Sequence, residues 1–151
     1  QYHPKMINSG RFVNDSMGRY IGKKVVKKII SQGKNIVGSR VLVMGMTFKE
    51  NVSDIRNTKV ADIVAELNDF GGIVDVVDPQ ASPQEVQRAY GIPLLERPSG
   101  KYDAIVLAVA HEAYRRLEEA DFLVWANSKV VFADLKGIFR GRIHQMCYWS
   151  L

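Results

Sequence analysis

Several features that define common classes of protein are missing from this sequence of 151 residues. Its single cysteine, Cys147, excludes an internal disulfide and is typical of proteins in a reducing cytoplasm. No apolar run approaches the roughly 20 residues that a membrane-spanning helix requires. His3, His111 and His144 are far apart, and no Cys/His spacing typical of a zinc site accompanies them. We therefore predict a cytoplasmic protein without a membrane segment or a bound metal.

The charge is basic, with a formal net charge of +5 and a pI of about 9.4. This balance permits nucleic acid, an anionic lipid or a phosphorylated small molecule as ligand. The densest basic cluster consists of Lys23, Lys24, Lys27 and Lys28. Because these lysines recur at helical spacing without interleaved aromatic residues, we interpret them as a solvated helix face and predict no nucleic-acid partner.

The apolar pattern predicts an α/β domain. Near-continuous apolar runs at residues 41–44, 73–77, 104–109 and 130–133 indicate strands, and helical patterns separate them. Three helices are expected between these strands. The first begins at Asn57 or Thr58 and ends at Gly71, and the second begins at Ser82 and ends at Gly91. The third contains Tyr114 and Leu117. This alternation indicates a Rossmann-like three-layer sandwich with a mostly parallel sheet. Right-handed crossovers place the first strand between the second and the third.

A long helix is expected before the first strand, from about Asn14 to Gln32, with Gly33 ending it. Its apolar side chains change face midway. The first face holds Val13, Met17, Tyr20 and Ile21, and the opposite face holds Val26, Ile29 and Ile30. We interpret residues 1–37 as the end of a preceding domain plus a connector helix between two partners, and residues 38–151 as the domain proper. The first face is then expected to be exposed or self-associated. The alternative is a helix buried on both sides.

The chain starts with neither an initiator methionine nor the pattern of a signal peptide, so we expect a piece of a longer protein. The connection after the first strand, residues 45–59 (GMTFKENVSDIRNTK), is also unusual, because strand–helix connections usually take about 2–6 residues. It lies where ligands bind in such sheets, at the carboxyl ends of the strands where the winding reverses. Lys49, Arg56 and Lys136 are expected to converge there beside a helix N-terminus, which predicts a phosphorylated ligand.

The sequence lacks the motifs of a conventional dinucleotide-binding or catalytic site. Only Gly45 follows the first strand, so there is no G-x-G-x-x-G, and no P-loop is present. No nucleophile–base pair or paired carboxylates stand out, and Glu50 and Asp54 fit a solvated loop. We therefore assign no catalytic residue. The residues by themselves indicate an α/β domain that binds a phosphorylated ligand.

The 45–59 loop closely resembles the UDP-glucose/GDP-mannose dehydrogenase family. The similarity extends to residues 2–4 (YHP), 10–15 (GRFVND), 76–79 (VVDP), 108–111 (AVAH) and 134–137 (DLKG). Its Asn-Thr-Lys and Asp-Leu-Lys-Gly variants look like the UDP-N-acetylhexosamine 6-dehydrogenase branch, which serves polysaccharide and O-antigen synthesis. The family oxidises the C6 hydroxyl of a nucleotide sugar to a carboxylate in two NAD-dependent steps.

The resemblance implies that this chain is the tail of a dimer-forming central domain plus the C-terminal domain that binds the UDP-sugar. It implies substrate contacts for Phe48 and Lys49, and a contact of Arg56 with the NAD pyrophosphate. Lys136 stands where UDP-glucose dehydrogenases carry an arginine, and a lysine cannot form the same bidentate contact. The family's catalytic-cysteine motif and NAD-binding fingerprint are not in this sequence, so the chain alone is expected to be inactive.

Simpler interpretations remain open at the level of the sequence. Phe48 is also compatible with packing alone, and Arg56 with an ion pair to Asp54 alone. A non-catalytic Rossmann-like module that binds a phosphorylated ligand or a protein partner is the alternative function.

Overall fold

The computed structural model describes the backbone of residues 5–151 and the side chains of residues 16–151. Its helices are α1 (Lys5–Ser31), α2 (Val60–Asp69), α3 (Pro83–Tyr90), α4 (Glu112–Arg115) and α5 (Glu119–Leu123). Its strands are β1 (Arg40–Met44), β2 (Ile73–Val77), β3 (Leu94–Leu95), β4 (Tyr102–Leu107), β5 (Ala126–Asp134) and β6 (Cys147–Ser150).

The strands of the described chain form one six-stranded sheet in the order β3-β2-β1-β4-β5-β6, and every pairing is parallel. This order is that of the doubly wound Rossmann fold. The predicted α/β class, the parallel sheet and the central position of β1 are confirmed. The edge strands β3 and β6 were not predicted, because two residues carry no pattern and the Cys-Tyr-Trp-Ser sequence of β6 does not alternate.

Helices cover both faces of the sheet because successive strand residues point to opposite sides. Val41 and Val43 belong to the core beneath α1, α2 and α3, whereas Leu42 and Met44 belong to the core on the other side. That second core contains the edge-to-face rings of Phe122, Phe132 and Phe139, with centroid separations of 4.8 to 5.9 Å. The result is the predicted three-layer sandwich.

Helix α1 differs from its prediction. It begins at Lys5, so the expected caps at Asn14 and Asp15 lie inside it, whereas its end before Gly33 (φ +81°) is confirmed. Ile21 is 3% exposed and lies in one core with Val25 and Ile29, so its predicted exposure is wrong. Spacing of four residues joins these three side chains in one stripe on one face of α1.

The outer side of α1 follows the prediction in part. Tyr20 is about half exposed, as expected, and Met17 is partly buried against the core. Ile30 is also about half exposed, although the sequence pattern grouped it with buried residues. Val13 lies outside the residues whose side chains are described. The predicted change of buried face along the helix is therefore largely absent. The helix has one buried stripe, and exposed apolar side chains lie beside it.

Two glycines bring α1 unusually close to α2. A Cβ atom on Gly18 would lie 2.6 Å from Asp62 Cβ and 2.9 Å from the carbonyl oxygen of Lys59. A Cβ atom on Gly22 would lie 2.7 Å from Glu66 Cβ. Because no side chain fits at these positions, α1 lies directly against the first turns of α2 and forms one wall of the site described next.

Candidate functional site

A cleft of about 300 Å³ opens at the carboxyl edge of the sheet, between α1, the start of α2 and the ends of β1, β4 and β5. This is the edge at which the winding reverses and at which ligands bind in such folds. Its lining residues are Met17, Ile21, Thr47, Phe48, Asn57, Thr58, Lys59, Val60, Ile63, Ala108, Val109, Leu135, Lys136 and Leu151. The cleft is therefore apolar at its base, with cationic side chains among its lining.

The structure divides the predicted site residues into two groups. Phe48 and Lys136 line the cleft, and the Phe48 side chain is 54% exposed although it is a large apolar group. Lys49 and Arg56 are exposed and are not among the lining residues. Lys59, which the sequence analysis did not single out, does line the cleft. Of the three cations predicted to converge at this edge, Lys136 alone lines the cleft, so the predicted convergence is wrong for Lys49 and Arg56.

Arg56 is paired with Asp54 on the outer surface of the 45–59 loop. Its Nε and Nη2 atoms donate to the two oxygens of the Asp54 carboxylate, each at 3.0 Å. These side-chain bonds and one from the Arg56 backbone hold the pKa of Asp54 below its ordinary value. The simpler interpretation of Arg56 as the partner of Asp54 therefore describes this structure. Such exposed pairs contribute little to stability, and the guanidinium remains accessible.

A buried carboxylate organises the beginning of the loop. Asp78, just after β2, has a side chain with no exposed surface. Its oxygens accept hydrogen bonds from the backbone N–H groups of Met46, Thr47, Gln80 and Ala81 and from Nε2 of His111. Burial by itself raises the pKa of Asp78, but the bonds from His111, Met46 and Gln80 outweigh it and hold the pKa below its ordinary value. The ionised carboxylate therefore joins the ends of β1 and β2.

His111 continues this network into the loop. Its side chain is fully buried, with Nε2 3.0 Å from Asp78 Oδ2 and 3.2 Å from Thr47 Oγ1. Its Nδ1 accepts a hydrogen bond of 2.9 Å from the backbone N–H of Asn51. The Thr47 hydroxyl donates to the carbonyl oxygen of Lys49 at 2.8 Å. The sequence analysis named His111 only as one of three separate histidines and as part of the segment 108–111, and it gave the residue no role. Its position directly after a buried strand was the available signal.

Further contacts hold the rest of the loop. The Phe48 N–H donates to the carbonyl oxygen of Asp54 at 2.7 Å, which folds the loop on itself. The Tyr90 hydroxyl, at the end of α3, donates to the carbonyl oxygen of Ile55 at 2.6 Å. Thr58 Oγ1 accepts from the N–H of Val60, the first residue of α2, although Lys59 occupies the N-cap position. The helix thus begins at Val60 and not at the predicted Asn57 or Thr58, and Thr58 lies one position before the N-cap.

Lys136 lies in a turn with its own buried carboxylate. Asp134, at the end of β5, is fully buried and accepts hydrogen bonds from the N–H groups of Ile138 and Phe139 at 3.2 and 2.7 Å. It also accepts one of 2.6 Å from the Tyr148 hydroxyl, and burial together with this bond raises the pKa of Tyr148. These contacts hold both sides of the turn that contains Lys136, which lines the cleft.

Residues 42–141, which include the loop and most of the cleft lining, match the sequence profile of the UDP-glucose/GDP-mannose dehydrogenase family, UDP binding domain. The chain belongs to this family. The similarity seen in the 45–59 loop is thereby confirmed.

Individual relatives agree with the profile. UDP-N-acetyl-D-glucosamine 6-dehydrogenase of Salmonella typhi is 43% identical over 136 residues, which are 89% of this chain and 32% of that protein. Protein CapL of Staphylococcus aureus is 37% identical over 138 residues, which are 91% of this chain and 32% of that protein. The chain thus spans about a third of the length of these relatives.

Solved structures agree with the fold. An NDP-N-acetyl-D-galactosaminuronic acid dehydrogenase from Methanosarcina mazei has a TM-score of 0.80 at 23% identity, covering 99% of this chain and 32% of that one. The UDP-N-acetyl-mannosamine dehydrogenase Cap5O of S. aureus has a TM-score of 0.73 at 25% identity, covering 97% and 33%. At 23% identity, the similarity to the Methanosarcina mazei structure shows the shared Rossmann-like fold alone.

At the start of the loop, Gly45 (φ +104°) passes so close to the residues that follow β4 that a Cβ atom would lie 2.6 Å from Val109 Cβ. Among residues 16–151, no group of three or more His, Cys, Asp or Glu side chains is arranged to hold a metal ion. No helix in the described chain is both long and apolar enough to cross a bilayer. Cys147 lies on β6, where its sulfur is 3.4 Å from Gln32 Nε2.

Proposed function

We propose that this chain is the C-terminal UDP-sugar-binding domain of an NAD-dependent UDP-sugar 6-dehydrogenase of polysaccharide biosynthesis. Residues 1–37 belong to the end of the central domain and the connector helix, and residues 38–151 form the domain. The observation that carries the proposal is the cleft at the carboxyl edge of the sheet, most of whose lining, including Phe48 and Lys136, belongs to the matched residues. The names of the relatives favour a UDP-N-acetylhexosamine as substrate.

Phe48, Lys49 and Lys136 contact the nucleotide sugar in this proposal. The exposed Phe48 ring at the edge of the cleft offers an apolar surface that a bound nucleotide would cover. Lys136 and Lys59 bring positive charge next to the start of α2, which suits a diphosphate. Lys49 lies one residue after Phe48 and outside the cleft lining, so it reaches the ligand from the rim.

Arg56 contacts the NAD pyrophosphate across the gap to the NAD-binding domain. Its side chain is 84% exposed, and its guanidinium is hydrogen-bonded to Asp54 at the surface of the domain. A planar guanidinium suits bidentate contact with phosphate oxygens. NAD, bound mainly by the preceding domain, would accept the hydride from the C6 carbon of the sugar. This chain contributes binding and charge, and we expect it to be inactive alone.

The remaining assignments belong to the whole enzyme. We propose that it assembles as a homodimer or larger homo-oligomer through its central domain and acts in the cytoplasm. We also propose that neither nucleic acid nor a membrane is a partner, because the densest basic cluster, at Lys23, Lys24, Lys27 and Lys28, has the spacing of a solvated helix face.

An activity assay of the full-length protein tests the proposal. NADH formation is followed with UDP-N-acetylglucosamine, UDP-N-acetylmannosamine, UDP-glucose and GDP-mannose, and NAD reduction is expected with at least one UDP-sugar. Absence of NADH with every sugar would refute the enzyme assignment. Binding of UDP without turnover would instead support the non-catalytic module.

A further inference from the structure

We propose that His111 and Asn51 are positioning residues that hold the 45–59 loop in its ligand-binding conformation. Together with Asp78 and Thr47 they form a hydrogen-bonded set, which we call the loop clasp. This inference rests on the proposed function, because the loop carries Phe48 and Lys49. The clasp residues themselves need not touch the ligand.

The contacts of His111 define its protonation. A backbone N–H donates only, so the bond from Asn51 requires a lone pair on Nδ1. The ring proton therefore lies on Nε2, where it is directed at the Asp78 carboxylate. His111 is thus a neutral connector between a carboxylate fixed at the end of β2 and the middle of the loop. An imidazolium would lose the bond to Asn51 because both of its nitrogens donate.

Asn51 fastens the loop by a second bond as well. Its side-chain Oδ1 accepts a hydrogen bond of 2.8 Å from the N–H of Glu112, the first residue of α4. The two bonds of Asn51 therefore end on consecutive residues, 111 and 112. Asn51 has φ +62°, a left-handed conformation that asparagine tolerates better than most residues. The residue type thus suits both the backbone and the bond.

The clasp matters to the site because the intervening residues have few other contacts. The Phe48 N–H bonds to the Asp54 carbonyl oxygen, but Phe48, Lys49 and Glu50 are all exposed, so side-chain packing does little to order them. Tethers at Thr47 and Asn51 enclose these three residues from both sides. A loop ordered before binding does not pay the conformational entropy of ordering when the ligand arrives. Loosening the clasp is therefore expected to weaken UDP-sugar binding without removing any ligand contact.

Variants at Asn51 test this in the full-length protein. Asn51→Gly keeps the left-handed backbone and removes the side-chain bond to Glu112, whereas Asn51→Asp keeps an acceptor at that place. Glu50→Ala, at an exposed neighbouring position, is the matched control. The dissociation constants for UDP-N-acetylglucosamine and UDP are measured by calorimetry, and amide exchange of peptides covering residues 46–52 by mass spectrometry.

We expect Asn51→Gly to weaken binding about fivefold, the effect of one hydrogen bond of ordinary strength, and to speed amide exchange in the loop. Asn51→Asp is expected to restore both quantities substantially, and Glu50→Ala to leave both unchanged. His111→Asn is a second variant, with a side-chain oxygen near the place of Nδ1. We expect the loop amides of His111→Asn to exchange more slowly than those of His111→Ala, when the two variants have equal melting temperatures.

The outcomes separate the clasp from the function. Faster exchange in Asn51→Gly with unchanged affinity would overturn the positioning role while leaving the UDP-sugar site intact. Unchanged exchange in that variant would overturn the clasp itself. If the wild-type protein binds neither UDP nor UDP-N-acetylglucosamine, the proposed function fails, and exchange alone then decides whether the clasp exists.

Discussion

Replacing Asp78 by asparagine tests the buried carboxylate that joins β1, β2 and the 45–59 loop. Oδ2 accepts from Met46, Thr47 and His111, whereas Oδ1 accepts from Gln80 and Ala81. An asparagine keeps one oxygen and turns an NH₂ group toward the other set of donors. At least two donors then lose their acceptor, and the remaining bonds lose the assistance of the charge.

The expected loss follows from these contacts. Leaving one buried donor unsatisfied costs about 1–3 kcal/mol, so we expect Asp78→Asn to lower the free energy of unfolding by about 2–4 kcal/mol at pH 7. Domains of this size are stable by about 5–15 kcal/mol, so the variant should still fold. Urea unfolding followed by circular dichroism measures the change. Asp54→Asn, which removes a partly exposed carboxylate at the surface of the loop, is the control and is expected to behave like the wild type.

The pH dependence gives an independent check. The pKa of Asp78 is lowered in the folded state from an ordinary value of 3.8. Its contribution to stability is therefore fully present above the ordinary value and is lost as the pH falls through the lower, folded value. The wild type should lose stability below about pH 4 more steeply than Asp78→Asn. A destabilisation of less than about 1 kcal/mol at pH 7, or identical acid profiles, would refute this account of the carboxylate.

Three further predictions concern the 45–59 loop and the contact between α1 and α2. Lys49→Ala in the full-length protein should lower kcat/KM for the UDP-sugar about 10–100-fold, which is the effect of losing one charge-assisted contact, and should leave the Tm unchanged. Wild-type kinetics would exclude Lys49 from the substrate site. Arg56→Ala should raise the KM for NAD and leave the KM for the UDP-sugar nearly unchanged, whereas equal effects on both would indicate collapse of the loop. Gly18→Val should lower the free energy of unfolding by about 1–3 kcal/mol in urea, because the valine Cβ would overlap Asp62. Lys27→Ala, at an exposed position of the same helix, is the control. Equal stabilities of the two variants would disprove the close packing of α1 on α2.

Those features of the fold that arise from local physics were determined by the sequence itself. Apolar runs separated by helical patterns predicted the parallel sheet, and right-handed crossovers predicted the position of β1. The N-cap at Ser82, which accepts from the Glu85 N–H, and the left-handed C-cap at Gly91 were also correct, because capping depends on a few adjacent residues. The 45–59 loop was enough to indicate the family, which the profile match confirmed.

The tertiary structure decided which polar residues meet. Asp78 and His111 are 33 positions apart, and neither composition nor spacing indicates that they share a hydrogen bond until the carboxyl ends of β2 and β4 come to one edge. The same assembly placed Phe48 and Lys136 in the cleft and left Lys49 and Arg56 on the outside of the loop. The tertiary structure also determined which stripe of α1 is buried. Ile21 is covered because Gly18 and Gly22 let α1 lie directly against α2. Periodicity defines which side chains share a face, whereas only the neighbouring elements define which face is buried and what it contacts.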